Sequence, residues 1–444
     1  MEVVLSLKNQ LPLLKRLLCK RFCVIVALLF LFLGLLTVEQ LHGTERDTFR
    51  SDILTFHGDQ RISADTLTSD SFPVTLVRRT ADPSQTPLPY TIILRGIDPV
   101  ERALFQDFQN GSWQRFDLLR AALIAEGIRD PERIRAYDAR LDALVARVLT
   151  AAQTEGDTTP QALTRSLFEA MHREILTGGY SLYCTELSNV MNTGSFNCVS
   201  ATVLFNILAE KAGLDARGLE MPGHALSMVK FAGGVAMKIE TTAPNWFNLQ
   251  TDRERQMATL QRIAPAPAIA NPVTAQDANA PPPVIAEADL PADLREINSV
   301  QLVATIYYNL GVDLHTKRRF PEAAAANLKA LHLDRDNEQA WTNLLASLNN
   351  WALELASEAN GRRYNIAALI LDQGVALDPT YDNFRANQTY VFYYWIHDLA
   401  KLGRFDDARE VYGHAQVRLP GNENLRKLMD EVNQVEVRLM QQRR

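Results

Sequence analysis

The sequence is poor in the residues from which metal and cofactor sites are built. Four cysteines occur in 444 residues, at positions 19, 23, 184 and 198. No CxxC or HxxxH spacing is present, so neither a cysteine framework, a metal site nor a bound cofactor is expected. Basic runs are missing as well. Lys and Arg number 46 against 52 Asp and Glu, a formal charge of −6, which argues against nucleic acid as a partner. Only one long apolar run occurs, residues 22–38, FCVIVALLFLFLGLLTV, led by Lys15, Arg16, Lys20 and Arg21. Its length and the absence of a small-residue cleavage site behind it predict an uncleaved transmembrane signal anchor. The basic flank places residues 1–21 in the cytoplasm and everything after residue 40 on the periplasmic or extracytoplasmic side.

Beyond the anchor the chain divides by pattern. Residues 39–98 are mixed, with strand composition in FPVTLV (72–77) and YTIILRGI (90–97). Residues 99–262 begin as helices. The clearest spans 127–152, where Asp130 caps, Pro131 takes the first turn, and Ile134, Leu141, Leu144, Val145 and Val148 recur at helical spacing. A second follows Thr159 and Pro160 and carries His172 between charged neighbours, which reads as a surface residue. Residues 263–296 hold a Pro/Ala-rich stretch with seven prolines between 264 and 291, the composition of an extended linker.

The core of the middle segment is GSFNCVSATVLFNILAEKAG. Asn197 is a helix cap, Gly213 a stop, and Cys198 therefore opens a buried helix, where unpaired N–H groups and the helix dipole favour the thiolate. His224 opens a strand, the 232–234 turn Ala-Gly-Gly folds it back, and Glu240 arrives near His224 on the return strand. A thiol, an imidazole and a carboxylate brought together give a nucleophile, its base and the group that orients the base. Cys184 reads as a small buried residue, with a Cys184–Cys198 disulfide as the alternative in an oxidising compartment.

Residues from about 180 to 247 resemble the core of the transglutaminase-like superfamily, whose members share the papain-like cysteine fold. The likeness rests on the glycine-led turn into Asn197-Cys198-Val199, on His224 behind Pro222-Gly223, and on an acid followed by Thr241 and Thr242. It implies Cys198 as nucleophile, His224 as the histidine and Glu240 as the acid. The family more often has aspartate at that last position, so Thr241, Thr242 and Asn245 stay open as substitutes.

Residues 297–444 resemble tetratricopeptide repeats. The first copy carries Tyr307, Leu310, Gly311, Leu314, Phe320, Ala323 and Ala330; Trp341 and Tyr364 belong to the second, Trp395 and Phe405 to the third, and a capping helix follows. The expected fold class is thus an α+β transglutaminase-like domain with N-terminal helices, an all-α solenoid behind it, and one transmembrane helix. The expected function is a membrane-anchored cysteine hydrolase or amide transferase acting on peptide or protein amides through a Cys198 thioester. The repeats would bind a protein partner and residues 22–38 the membrane. The alternative is an inactive scaffold that recruits partners to the membrane.

Overall fold

Three short strands begin the described chain, and their alternation explains which side they bury. The computed structural model describes residues 53–58, 68–80, 88–108, 111–221, 223–249 and 294–442. Strands β1 (Leu54–Gly58), β2 (Phe72–Val77) and β3 (Pro89–Leu94) form an antiparallel sheet in the order β1-β3-β2. Phe72, Val74 and Leu76 point inward while Thr75 and Val77 face solvent, the period of two expected of a half-buried strand.

Four helices follow: α1 (Pro99–Asp107), α2 (Leu118–Ala125), α3 (Pro131–Glu155) and α4 (Pro160–Glu174). Each of α1, α3 and α4 starts with proline behind a capping Asp or Thr. Asp130, for example, accepts from the Glu132 N–H at 3.0 Å. The chain then makes β4 (Gly179–Tyr180), α5 (Leu187–Thr193), β5 (Ser195–Phe196) and α6 (Cys198–Lys211). Helix α6 is buried on every side from Cys198 through Ala209, with Ser200, Thr202 and Asn206 as polar members whose side chains are hydrogen-bonded, so it is the central post of this half.

Strands β6 (Asp215–Met221), β7 (His224–Lys230) and β8 (Ala236–Ile239) form an antiparallel meander covering α6, and helix α7 (Trp246–Leu249) follows. The fourth strand, β9 (Arg295–Ile297), adds to the far edge of β6 and gives the order β8-β7-β6-β9. Residues expected to close a linker are therefore part of the sheet.

Seven helices complete the chain: α8 (Ser299–Thr316), α9 (Phe320–Leu333), α10 (Glu338–Ala356), α11 (Tyr364–Leu377), α12 (Asp382–Lys401), α13 (Phe405–Arg418) and α14 (Glu423–Gln442). Neighbours in sequence pack as neighbours in space. Small residues permit the approach: a side chain on Gly374 would meet the Phe384 ring at 2.5 Å, and one on Gly311 the Asn327 amide at 2.6 Å.

The array does not stand apart. Helix α8 packs on α2 and α6, and the first sheet lies on α9 and α11. Arg79 stacks over Trp341 at 4.8 Å and bonds Glu338 at 2.5 Å. Buried Glu101 accepts from the Tyr307 hydroxyl at 2.7 Å and from Lys329 at 2.9 Å. Arg295 joins Glu220 of β6 to Asp334 beyond α9, with 3.0 Å contacts to each. The described residues accordingly belong to one compact unit.

The fold class needs correction. The described chain is a mixed α/β structure, 63% helical, ending in a helical stretch that is built into the rest. Among the described residues no helix is long and apolar enough to cross a membrane; residues 22–38, on which the transmembrane helix of the expected fold class was placed, lie outside them. Most of the Pro/Ala-rich linker also lies outside them.

Candidate active site

Cys198 is the first residue of α6 and is 8% exposed. Its position is fixed by a capping box: the Asn197 Oδ1 accepts from the Ser200 N–H at 2.9 Å, and the Ser200 Oγ accepts from the Asn197 N–H at 3.0 Å. The Asn197 side-chain nitrogen in turn donates to the Leu182 carbonyl and to Thr185 Oγ1, at 3.0 and 2.8 Å, tying the cap to the preceding loop. The approach to this cap depends on two glycines in contact. Gly178 N–H donates to the Gly194 carbonyl at 2.9 Å, and a side chain on Gly194 (φ +77) would meet the Gly178 nitrogen at 2.7 Å.

His224 and Glu240 meet through the hairpin. Ser227 pairs with Ile239, and the same register carried on places His224 opposite residue 242. Its Nε2 lies 2.6 Å from Glu240 Oε2. The other ring nitrogen is left for the Cys198 thiol, with which His224 shares a hydrogen bond. His224 therefore has the carboxylate and the thiol as neighbours. The extra methylene of glutamate is accommodated: Glu240 Oε1 is held by the Thr242 N–H at 3.0 Å and by Thr242 Oγ1 at 2.6 Å. Thr242 supports the acid rather than replacing it, and Thr241 Oγ1 bonds Thr202 of α6 at 2.9 Å.

The electrostatics follow from burial and pairing. Burial by itself would push His224 down, but the Glu240 charge, helped by the Cys198 hydrogen bond, raises it well above the ordinary histidine range. Burial would push Glu240 up; the His224 charge and the Thr242 bonds hold it low instead. Both shifts favour an imidazolium–carboxylate pair beside the thiol.

Tyr180 and His172 belong to the site as well, and a third residue supports the helix that leads into it. Tyr180 of β4 hydrogen-bonds Cys198, and its hydroxyl is raised by burial and by the charges of Cys198 and Glu240. His172 is not a surface residue. Its ring packs 4.6 Å from Phe168, and its Nε2 lies 3.1 Å from the Thr241 carbonyl, which can only accept, so that nitrogen carries the proton. Burial lowers its pKa to about 4, so it is neutral and positions the turn behind Glu240. The Phe168/His172 spacing of four on one helix was the available signal.

Glu126 is the third. Helix α5 has no side-chain bond from its own cap, Glu186, and Glu126 from α2 supplies the acceptor for the Leu187 and Ser188 N–H groups, the latter at 3.0 Å. Burial pushes its carboxyl up to about 8, against a usual 4.5. Between those two values the unfolded chain releases this proton while the folded chain keeps it. The Glu126 contribution to stability therefore falls as pH rises, by at most about 1.4 kcal/mol per pH unit. In urea unfolding, wild type is expected to lose stability relative to Glu126→Gln from pH 5 to 8; parallel curves would contradict it.

Cys184 and Cys198 are both free thiols, and Cys184 Sγ accepts from Asn189 at 3.1 Å. Among the described residues no group of three or more His, Cys, Asp or Glu side chains is placed to hold a metal ion.

No family model, curated protein or solved structure matches the chain.

Proposed function

We propose that the protein is a cysteine acyl-transfer enzyme of the transglutaminase-like kind, a peptidase, amidase or transamidase acting on peptide or protein amides. The observation that carries this reading is His224 held between Glu240, at 2.6 Å, and Cys198. The Cys198 thiol proton passes to His224 as the sulfur attacks the amide carbonyl carbon and the carbonyl π electrons move to oxygen. His224 gives its proton to the leaving nitrogen, the C–N bond breaks, and an acyl thioester remains on Cys198. Water or an acceptor amine then attacks the thioester, His224 takes the proton from it, and the thiol is restored.

Two donors suit the oxyanion. The Cys198 N–H is at the start of a helix, where no residue of the preceding turn can accept from it, and the Tyr180 hydroxyl is on the thiol. The protein substrate would be held in part by helices beyond residue 297, which pack against this half.

The test is p-nitrophenyl acetate, whose acyl group any such thiol accepts. The reading predicts a burst of nitrophenolate equal to the protein concentration, absent in Cys198→Ala. It also predicts faster turnover when glycinamide is added, if amines resolve the thioester. A wild-type protein with no burst, although iodoacetamide alkylates Cys198, would make it an inactive scaffold.

A further inference from the structure

The chain approaches Cys198 through a turn whose residues do not suit a turn. Residues 181–184, Ser-Leu-Tyr-Cys, bend so that the Cys184 N–H donates to the Ser181 carbonyl at 3.0 Å. The central positions of such a bend favour Gly, Pro, Asn, Asp or Ser. Here they hold Leu182 and Tyr183, whose side chains are 47% and 49% exposed. A lone exposed leucine is ordinary on a protein surface. Two adjacent large apolar side chains at the tip of a turn form a patch kept in water, the kind of feature that marks a binding surface.

The turn is tied to the cap of the nucleophile. The Ser181 N–H donates to the Phe196 carbonyl at 2.8 Å, and the Leu182 and Cys184 carbonyls accept from Asn197 Nδ2 at 3.0 Å and from Ser200 Oγ at 2.7 Å. These three partners all lie within two residues of Cys198. None of the bonds uses the side chain of Leu182 or Tyr183, so holding the turn in place does not require either residue to be apolar.

The helix period shows on which side of Cys198 the turn lies. At 3.6 residues per turn, Cys198, Thr202 and Asn206 fall within about 80° of one another on α6, while Ser200 is roughly 200° round from Cys198. Thr202 bonds Thr241 at 2.9 Å and Asn206 bonds Ser227 at 2.7 Å, so that face carries the hairpin on which His224 stands. Ser200 bonds Cys184, which puts the turn on the opposite face. An amide seated on Cys198 turns its leaving nitrogen toward His224, the group that protonates it. Its acyl part then runs away from the hairpin, over Leu182 and Tyr183.

We propose that Leu182 and Tyr183 are specificity-determining residues that form an apolar shelf for the acyl side of the substrate. The preferred amides are those whose acyl side carries an aliphatic or aromatic side chain, which covers the shelf and leaves water with it. This inference rests on the cysteine reading given above, since without it there is no acyl side to recognise.

The test uses two esters with one leaving group, p-nitrophenyl acetate and p-nitrophenyl hexanoate. In each the Cys198 sulfur takes the acyl group as a thioester and nitrophenolate leaves. The wild-type burst is expected to be faster with hexanoate. The double variant Leu182→Ser, Tyr183→Ser keeps residues that suit the turn and is expected to lower the hexanoate-to-acetate ratio of burst rates about tenfold, the worth of roughly two buried methylenes. Val235→Ser removes another exposed apolar side chain, 58% exposed and at the far end of the hairpin from His224, and is expected to leave the ratio as in wild type. An unchanged ratio in the double variant, or a wild type that does not prefer hexanoate, overturns the proposal. An equal fall in Val235→Ser overturns it too, because the preference would then belong to apolar surface in general. A wild type that gives no burst with either ester removes the cysteine reading, and this inference falls with it.

Discussion

His224→Ala is expected to slow acylation of Cys198 by p-nitrophenyl acetate by about 10²–10⁴-fold, the usual worth of a positioned acid–base group. The ring bonds Glu240 at 2.6 Å and has the Cys198 thiol as its other partner. Removing it leaves Cys198 without a base and Glu240 buried at 1% exposure with its Thr242 bonds as its remaining support. Stability therefore has to be measured beside the rate. Glu240→Gln separates the two effects, since it keeps the shape and a hydrogen-bond acceptor but removes the charge. Burial is the force that this charge overcomes to keep His224 protonated, so in Glu240→Gln the imidazole falls back toward its neutral form. The burst rate should drop with little loss of folding stability. Burst rates in both variants equal to wild type would remove His224 from the chemistry.

Arg295→Ala is expected to destabilise the fold by about 3–5 kcal/mol, the cost of stripping a buried charge pair of one partner. Arg295 is the shared cation of Glu220 and Asp334, whose side chains are 8% and 2% exposed. Gln301 adds a 3.1 Å bond to Asp334, but no second cation stands by either acid in the described network. Deleting the guanidinium leaves two carboxylates in a place that cannot solvate them, and it does so at the strand joining the array to the sheet. Urea unfolding should show the loss, and Arg295→Lys should recover part of it, since a single ammonium cannot make the forked contacts to both acids. A loss below about 1 kcal/mol would mean that the pair is solvated and contributes as a surface bridge does.

What could be read from the sequence was local. Asp130 before Pro131, Asn197 before Cys198, and the Gly233-Gly234 turn between two alternating strands are signals within a few residues of the elements they start or stop. They were enough to bring His224 and Glu240 to one end of a hairpin. The unread features are the distant ones. Arg295 and Glu220 are 75 residues apart, and Tyr307 reaches across 206 residues to Glu101. Nothing in the repeat pattern tells what covers the outer side of its first helix, because that pattern encodes only how each pair stacks on the next. His172 was misread for another reason. Arg173 and Glu174 beside it in sequence face solvent and pair with each other, while the helical turn carries His172 to the Phe168 side.

The central claim, that Cys198 is a nucleophile activated by His224, is met most directly by mapping the acyl group after brief acid quench of wild-type protein mixed with p-nitrophenyl acetate. The account predicts one acetyl group per chain, on the Cys198 peptide, absent from His224→Ala in the same interval and present on Cys184 in neither. Equal acetylation of Cys184 and Cys198, or labelling of Cys198 at the same rate without His224, would contradict it.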